Sequence, residues 1–326
     1  MKKIIIIFTG GTICMKKDEN NASVVSMTGE DILKLTPGLD KIAMIDFLNF
    51  SMIPGPHMTP EKMFELSKLI SEKVEKEGYD GVVVTHGTDS LEETAYLVDL
   101  TYRGSKPVVF MGAMKSSSEL GWDGAVNLVD AVNTVISREA LNRGVMVVMN
   151  REIHSASQVT KTNTRTLDTF KSMDFGPIGY VENNHVYFYY NYIKRQYIPA
   201  ENIDSNVELV KCACGMDDRI LRFIVESGSH GIIIEGMGRG NIPPKMVSGV
   251  EYALSKDIPV VLVSRCIAGK VLDDYGYGGA GRELIEKGVI LGDNLPGQKA
   301  RIKLIVSLGF TRNVDKIKDV FEKGYY

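Results

Sequence analysis

Gly81-Val82-Val83-Val84-Thr85-His86-Gly87-Thr88-Asp89-Ser90-Leu91-Glu92-Glu93 decides how the rest of the chain is read. Three consecutive valines behind a glycine predict a short strand buried on both faces of a parallel sheet. The strand ends in Thr85-His86-Gly87, and Asp89 with Glu92 has the spacing of a helix capping box. Leu91, Ala95, Val98 and Tyr102 share one helical face, which predicts a helix over 89–103. Thr88 therefore falls at the carboxyl end of a strand, on a tight turn beside a helix N-terminus, where open α/β sheets bind ligands. Capping alone would account for Thr88 and Asp89. The chain start, however, holds a counterpart, Ile4-Ile5-Ile6-Ile7-Phe8-Thr9-Gly10-Gly11-Thr12. Two apolar strands each ending in Thr-x-Gly-Thr put two hydroxyls at one sheet edge, which capping does not require and acyl-transfer chemistry does use.

Outward from these junctions, strand and helix alternate. Ile45–Met52 predicts a strand, broken by Pro54-Gly55-Pro56-His57; Thr59 and Pro60 then supply the N-cap and first position of a helix whose buried stripe is Met63, Leu66, Ile70 and Val74. Pro107–Met111 and Val145–Met149 read as strands around a helix from about Asp123, with Ala125, Leu128, Val132 and Ile136 inward. The alternation predicts an α/β fold with a larger N-terminal, doubly wound, mainly parallel sheet. Between its first strand and Ser26 the chain is polar, with nothing expected to pack a core, and its place directly after Thr12 suits a lid. Residues 150–171 read as a hairpin or irregular excursion. The aromatic run Tyr187–Tyr192 reads as ordinary strand packing, with an oligomer contact as the second reading. The first domain is expected over 1–192, a linker over 193–206, and a smaller α/β domain over 207–326. The second has strands Val207–Lys211, Gly231–Ile234 and Pro259–Val263, and helices from Asp217 and Pro244, near Gly281–Lys287 and Gln298–Leu308, and from Val314.

At 326 residues the chain accommodates two such domains. A net charge of −3 and a pI near 6.0 offer no general attraction to nucleic acid, and no basic run appears. The apolar start stops at Thr9-Gly10-Gly11, so it reads as a buried strand, not a signal peptide, and no stretch approaches the ~20 apolar residues of a membrane span. Cys14, Cys212, Cys214 and Cys266 fit neither a disulfide framework nor zinc-ligand spacing, so they are read as reduced cysteines of a cytoplasmic protein. Cys14, two residues past Thr12, is expected to become exposed when the following loop moves, and Cys212-x-Cys214 to lie within a strand.

Several stretches, in order over nearly the whole chain, resemble the bacterial L-asparaginase family of threonine-nucleophile, homotetrameric enzymes, and most of all its cytoplasmic type I branch. They are Thr9-Gly10-Gly11-Thr12-Ile13, Thr85-His86-Gly87-Thr88-Asp89, Glu92-Glu93-Thr94-Ala95-Tyr96, Lys106-Pro107-Val108-Val109, Gly112-Ala113-Met114-Lys115, Asp123-Gly124 with Asn127-Leu128, and Val159-Thr160-Lys161-Thr162-Asn163-Thr164. The resemblance implies an amidohydrolase acting on asparagine through a threonine acyl-enzyme. Thr12 would be the nucleophile, Thr88, Asp89 and Lys161 would handle the proton, and the Ala113 carbonyl would hold the leaving amide. Asn241 would reach a neighbouring subunit's site. No metal or cofactor is implied, the substrate being a small amino-acid amide and the assembly a homodimer or homotetramer.

Read from the residues, such chemistry needs a nucleophile, a base and oxyanion donors. Backbone N–H groups around Gly11 and Gly87–Asp89 could be those donors. On sequence alone Lys161 is a surface lysine in a polar loop. It can act as a base only where its surroundings disfavour the cation, and Asp89 opposes that unless a substrate ammonium occupies it. His86 reads as structural. Three departures from the family pattern bear on specificity: no tyrosine precedes Tyr79 where the lid would carry one, Gly55-Pro56 followed by His57 replaces the polar pair holding the α-carboxylate, and only Asp273 and Asp274 stand near the place of an acidic lid residue. Other classes remain open. They are an amidase subunit feeding a tRNA-dependent amidotransferase, a catalytically silent sensor of amino acids, and a nucleotide-binding module. The last is disfavoured because Gly10-Gly11 lacks G-x-G-x-x-G spacing and leads into a polar loop.

Overall fold

In a computed structural model that describes residues 1–190 and 195–323, the strand Gly81–Thr85 is buried throughout. It pairs in parallel with Lys3–Gly10 on one side and Val108–Met111 on the other. Along the eight-stranded sheet the order is His185–Phe188, Gly179–Glu182, Glu152–Ser155, Val145–Met149, Val108–Met111, Gly81–Thr85, Lys3–Gly10, Met44–Ile53. The last five run parallel, and the first three attach antiparallel beyond Val145–Met149. In chain order the parallel strands lie 2-1-3-4-5. Their order therefore reverses between Lys3–Gly10 and Gly81–Thr85, the point at which such sheets open a ligand crevice.

The valine and isoleucine runs alternate between two cores. Ile4, Ile6 and Phe8 pack with Ile32, Leu128, Ala131 and Val132 on one face, against helices Gly29–Lys34 and Gly124–Ile136. Ile5, Ile7, Val82 and Val84 pack on the other with Leu66, Ile70, Ala95 and Val98, from helices Pro60–Glu75 and Leu91–Thr101. Thr59 caps the first of these helices as expected, accepting from the Lys62 N–H. The capping box at the second does not form. That helix starts at Leu91 behind Ser90, whose side chain makes no cap and donates instead to the Gly55 carbonyl at 2.6 Å.

The readings of the segment after Thr12 and of Cys14 are corrected, while the hairpin reading after Asn150 holds. The segment after Thr12 contributes to the core, since Ile13 and Cys14 are fully buried in a short 3-10 turn, and only then does a small hairpin (Met15–Lys17 with Ser23–Val25) carry the polar residues outward. Cys14 is thus shielded, and burial pushes its thiol up to about 12 against a hydrogen bond from the Gly10 backbone. The excursion after Asn150 contains a sheet strand and the antiparallel hairpin Val159–Lys161/Phe170–Ser172.

Residues fall into two compact units, Met1–Arg195 and Gln196–Tyr326. Of the stretch expected as a linker, Ile193 and Lys194 lie outside the described residues, as do Asn191 and Tyr192 of the aromatic run; 195–206 carry no helix or strand. The second unit holds a parallel sheet ordered Val207–Lys211, Gly231–Gly236, Val260–Ser264, Ile290–Leu291. Its two-residue last strand escapes the sequence reading. Cys212 is buried just past the first strand and Cys214 is exposed beyond it, so the pair is not inside a strand. Among the described residues no helix is long and apolar enough to cross a membrane.

Candidate active site

Three loops meet at the order reversal, and they meet on glycines. A Cβ at Gly11 would strike the Gly87 backbone, and one at Gly87 would lie 2.7 Å from the Gly55 Cα. Gly11 has φ 77°, a left-handed value suited to glycine. The Thr9 hydroxyl donates to the Thr85 carbonyl at 2.9 Å, tying the first strand to the central one. The turn bearing Thr12 is thereby packed directly on the turn bearing Thr88, as the paired Thr-x-Gly-Thr motifs suggest.

Thr88 is buried and Thr12 half-buried. Lys161 comes from the end of its hairpin strand, opposite Phe170. Its Nζ donates to Thr88 Oγ1 at 2.9 Å and to Asp89 Oδ1 at 2.7 Å, its side chain 16% exposed against 62% for Asp89. Lys161 is thus no surface lysine, and Asp89 spends its carboxylate on it instead of capping a helix. The buried Glu92 stands behind, its Oε1 3.5 Å from the Lys161 N–H. His86 is buried and pushed down to about 4 by that burial, against a hydrogen bond to the Gly87 carbonyl. A histidine held neutral and enclosed in this way stabilises the turn and is unsuited to proton exchange with solvent.

Other expected donors are already engaged. The Gly11 N–H donates to the Ile53 carbonyl at 2.9 Å, which removes it from the expected oxyanion donors. Around the expected carboxylate site Gly55 is buried while Pro56 and His57 are exposed, and the His57 N–H is taken by the Pro54 carbonyl at 3.0 Å. Gly112-Ala113 closes the site from the neighbouring strand. A Cβ at Gly112 would sit 3.0 Å from Thr88 Cγ2, and Ala113 is fully buried. Asn241 belongs to the second unit, where its Nδ2 reaches the Met237 carbonyl at 3.4 Å and its buried Oδ1 finds no hydrogen-bond partner among the described residues. Asp123 and Asn127, quoted above for the resemblance but given no role there, hold the 112–115 turn. Their i, i+4 spacing at a helix start after a strand end is the available signal of that role.

A buried hydroxyl bonded to a lysine at the carboxyl edge of a doubly wound sheet, with a second hydroxyl on an abutting turn, is an arrangement suited to acyl transfer through a hydroxyl nucleophile. Comparison with known proteins makes the class specific. Residues 3–194 match the family described as asparaginase, N-terminal, and residues 206–321 match the glutaminase/asparaginase C-terminal domain. The chain belongs to the asparaginase family. It is 36% identical to an L-asparaginase of Bacillus licheniformis, over 98% of this chain and 99% of that one. It is 33% identical to a glutamyl-tRNA(Gln) amidotransferase component of Methanosarcina barkeri, over 95% of this chain and 75% of the relative. The crystal structure of a probable cytoplasmic L-asparaginase from Campylobacter jejuni superposes with a TM-score of 0.90 at 33% identity, covering all of both chains.

Proposed function

We propose that this chain hydrolyses the side-chain amide of L-asparagine to L-aspartate and ammonia, with Thr12 as nucleophile. The observation that carries the reading is the Lys161 ammonium held 2.9 Å from the buried Thr88 hydroxyl and 2.7 Å from Asp89, on the turn that abuts Thr12. Thr12 Oγ adds to the amide carbon, and backbone N–H groups of the Gly87–Asp89 turn take the developing oxyanion. The tetrahedral intermediate collapses by breaking its C–N bond. The hydroxyl proton leaves with the departing ammonia, relayed through Thr88 and Lys161, while the Ala113 carbonyl holds the amide hydrogens. Water then cleaves the Thr12 ester and restores the hydroxyl.

Asp89 gives the substrate a point of attachment. Its exposed carboxylate is the natural partner of the α-ammonium. An α-ammonium bound there would share this carboxylate with the Lys161 side chain, which already donates to it at 2.7 Å. Further parts of the reading are a cytoplasmic location, a domain boundary across 193–206, and assembly into a homodimer or homotetramer so that Asn241 completes a neighbouring subunit's site. The names of the L-asparaginase relatives favour asparagine over the amidotransferase role.

Ammonia release by the purified chain from asparagine, glutamine and their D-forms tests the reading. Thr12→Val and Thr88→Val should each lower turnover at least ~10²-fold with melting temperature near wild type. Near-normal turnover in either would remove that residue from the mechanism, and ammonia released only with a partner protein would favour the amidase-subunit reading. Light scattering showing a fully active monomer would sink the shared site.

A further inference from the structure

The turn that presents the Ala113 carbonyl is held by side chains, not by a backbone ladder. Gly112-Ala113-Met114-Lys115 lies past the end of its strand, where sheet pairing has stopped. Asp123 accepts from the Met114 and Lys115 N–H groups, at 2.9 Å each, one on each carboxylate oxygen. Asn127, one helical turn later and 2% exposed, donates to the Gly112 carbonyl at 3.0 Å and to Asp123 Oδ2 at 3.1 Å. Its Oδ1 accepts the Asn150 N–H at 3.0 Å. Both kinds of hydrogen-bonding capacity of this one amide are used, on three segments: the strand end, the helix start and the tight turn at Asn150-Arg151, where both residues have positive φ.

We infer that Asp123 and Asn127 are a pair of positioning residues for leaving-amide recognition. Asp123 holds the Ala113–Met114 peptide that carries the Ala113 carbonyl, and Asn127 holds both the Gly112–Ala113 peptide before it and the Asp123 carboxylate. This rests on the proposed function, in which that carbonyl accepts from the leaving NH2. The Ala113 carbonyl and the Met114 nitrogen belong to one rigid peptide plane, so Asp123, by accepting the Met114 N–H, fixes the aim of that carbonyl, while Asn127 holds the peptide before it and the Asp123 carboxylate itself. Gly112 also packs on Thr88 and the His86 carbonyl, which a Cβ would approach to 3.0 and 2.7 Å. Asp123 acts with Asn127, because it orients the Asn127 amide and pins the other end of the turn.

A substrate that lacks leaving-group N–H isolates the effect. The β-methyl ester of aspartate offers the same acyl carbon to Thr12 but gives the Ala113 carbonyl nothing to accept. Wild type, Asn127→Leu and Asp123→Asn are compared by kcat/KM on asparagine and on the ester, with circular dichroism as the check on folding. The inference expects the amide-to-ester ratio to fall roughly ten- to a hundredfold in Asn127→Leu, the scale of one misdirected hydrogen bond. Asp123→Asn retains one carbonyl acceptor and should fall severalfold, providing the readout if Asn127→Leu does not fold. A merely structural role lowers both substrates together, so an unchanged ratio in the folded variants overturns the inference. Loss of both activities in Thr12→Val with this ratio unchanged in the Asn127 variant would leave the proposed function standing and remove only this inference. Wild type inactive on both substrates would overturn the two together.

Discussion

Glycine meets glycine where the two threonine turns abut, and there a single methyl can be sized. A Cβ on Gly87 would stand 2.7 Å from the Gly55 Cα, 2.9 Å from the Gly55 nitrogen and 3.3 Å from the Gly11 Cα. An ordinary carbon–carbon contact needs ~3.5 Å, so Gly87→Ala must part the two loops by roughly 0.8 Å. All three obstructing atoms are backbone, and no rotamer change can absorb the shift. Thr88 and Asp89 follow directly on the displaced turn, and Ser90 ties it to the Gly55 carbonyl. A displacement near 1 Å costs a positioned reaction about 10²-fold in rate, and overpacking of this kind costs about 1–3 kcal/mol of stability. The expected variant is folded, melts several degrees lower, and turns over asparagine about 10²-fold more slowly at saturation. Gly55→Ala is the control. Its Cβ would meet Asp89 Cβ and the Gly87 carbonyl group at 3.5 Å, an ordinary contact, so its kcat should stay within a few-fold of wild type. Ammonia release at saturating asparagine and calorimetric melting measure both. A folded Gly87→Ala with wild-type kcat, or equal losses in the two variants, would refute the reasoning that this packing sets the reacting groups.

If the α-carboxylate binds at Gly55-Pro56-His57 as the resemblance implies, the engaged His57 N–H and the missing Pro56 N–H leave only the Gly55 N–H and the His57 imidazole of this segment to hold it. The Michaelis constant for L-asparagine is therefore expected at or above ~1 mM, and esterifying the α-carboxylate should weaken it less than tenfold. Micromolar affinity abolished by esterification would show that another group reads the carboxylate. His86, held at about 4 against an ordinary value near 6.5, contributes stability that is present above ~6.5 and lost as pH falls through about 4. The loss is on the order of 3 kcal/mol, and urea unfolding of His86→Gln should show a shallower acid decline than wild type. Parallel declines would contradict a neutral buried imidazole. Asp130 has the opposite sign, because burial lifts its carboxyl to about 6 against the Arg151 charge. Its stabilising contribution is complete below ~3.8 and lost as pH rises through about 6. Asp130→Asn should thus gain stability relative to wild type on going from pH 4 to pH 7, by on the order of 3 kcal/mol, and a constant difference in chemical unfolding would exclude this.

The parts of this fold that are legible in the sequence are those made by local pattern. Val82-Val83-Val84 and Ile4–Ile7 announce parallel strands because both faces of such a sheet must be apolar. The two Thr-x-Gly-Thr ends then place Thr12 and Thr88 without any structure. Side chains that act across long separations are not legible. Ser90 reads as one more polar residue before a helix, yet its hydroxyl is committed to a carbonyl 35 residues away. Ile13 and Cys14 stand at the start of a polar stretch and read as part of it, although the Gly10-Gly11 turn folds them back under the sheet edge. Lys161 is the sharpest case. Its own segment, Thr160-Lys161-Thr162-Asn163-Thr164, has the composition of a surface loop, and only the pairing with Phe170–Ser172 carries it to Thr88.

Asp89 shows how a local rule can point to the right residue for the wrong reason. Its spacing to Glu92 is that of a capping box, and a capping aspartate would face the helix it starts. In the structure neither carboxylate caps. Asp89 takes the Lys161 ammonium, and the Glu92 Oε1 stands at the Lys161 backbone. Both acids of the pattern have turned from the helix to the strand end that delivers the lysine, and the helix begins at Leu91 with no side-chain cap. Losing a cap costs about 1 kcal/mol. The unused cap therefore marks Asp89 and Glu92 as residues serving Lys161 in preference to the helix. A broken local rule beside an order reversal in the sheet is itself a sign of a site.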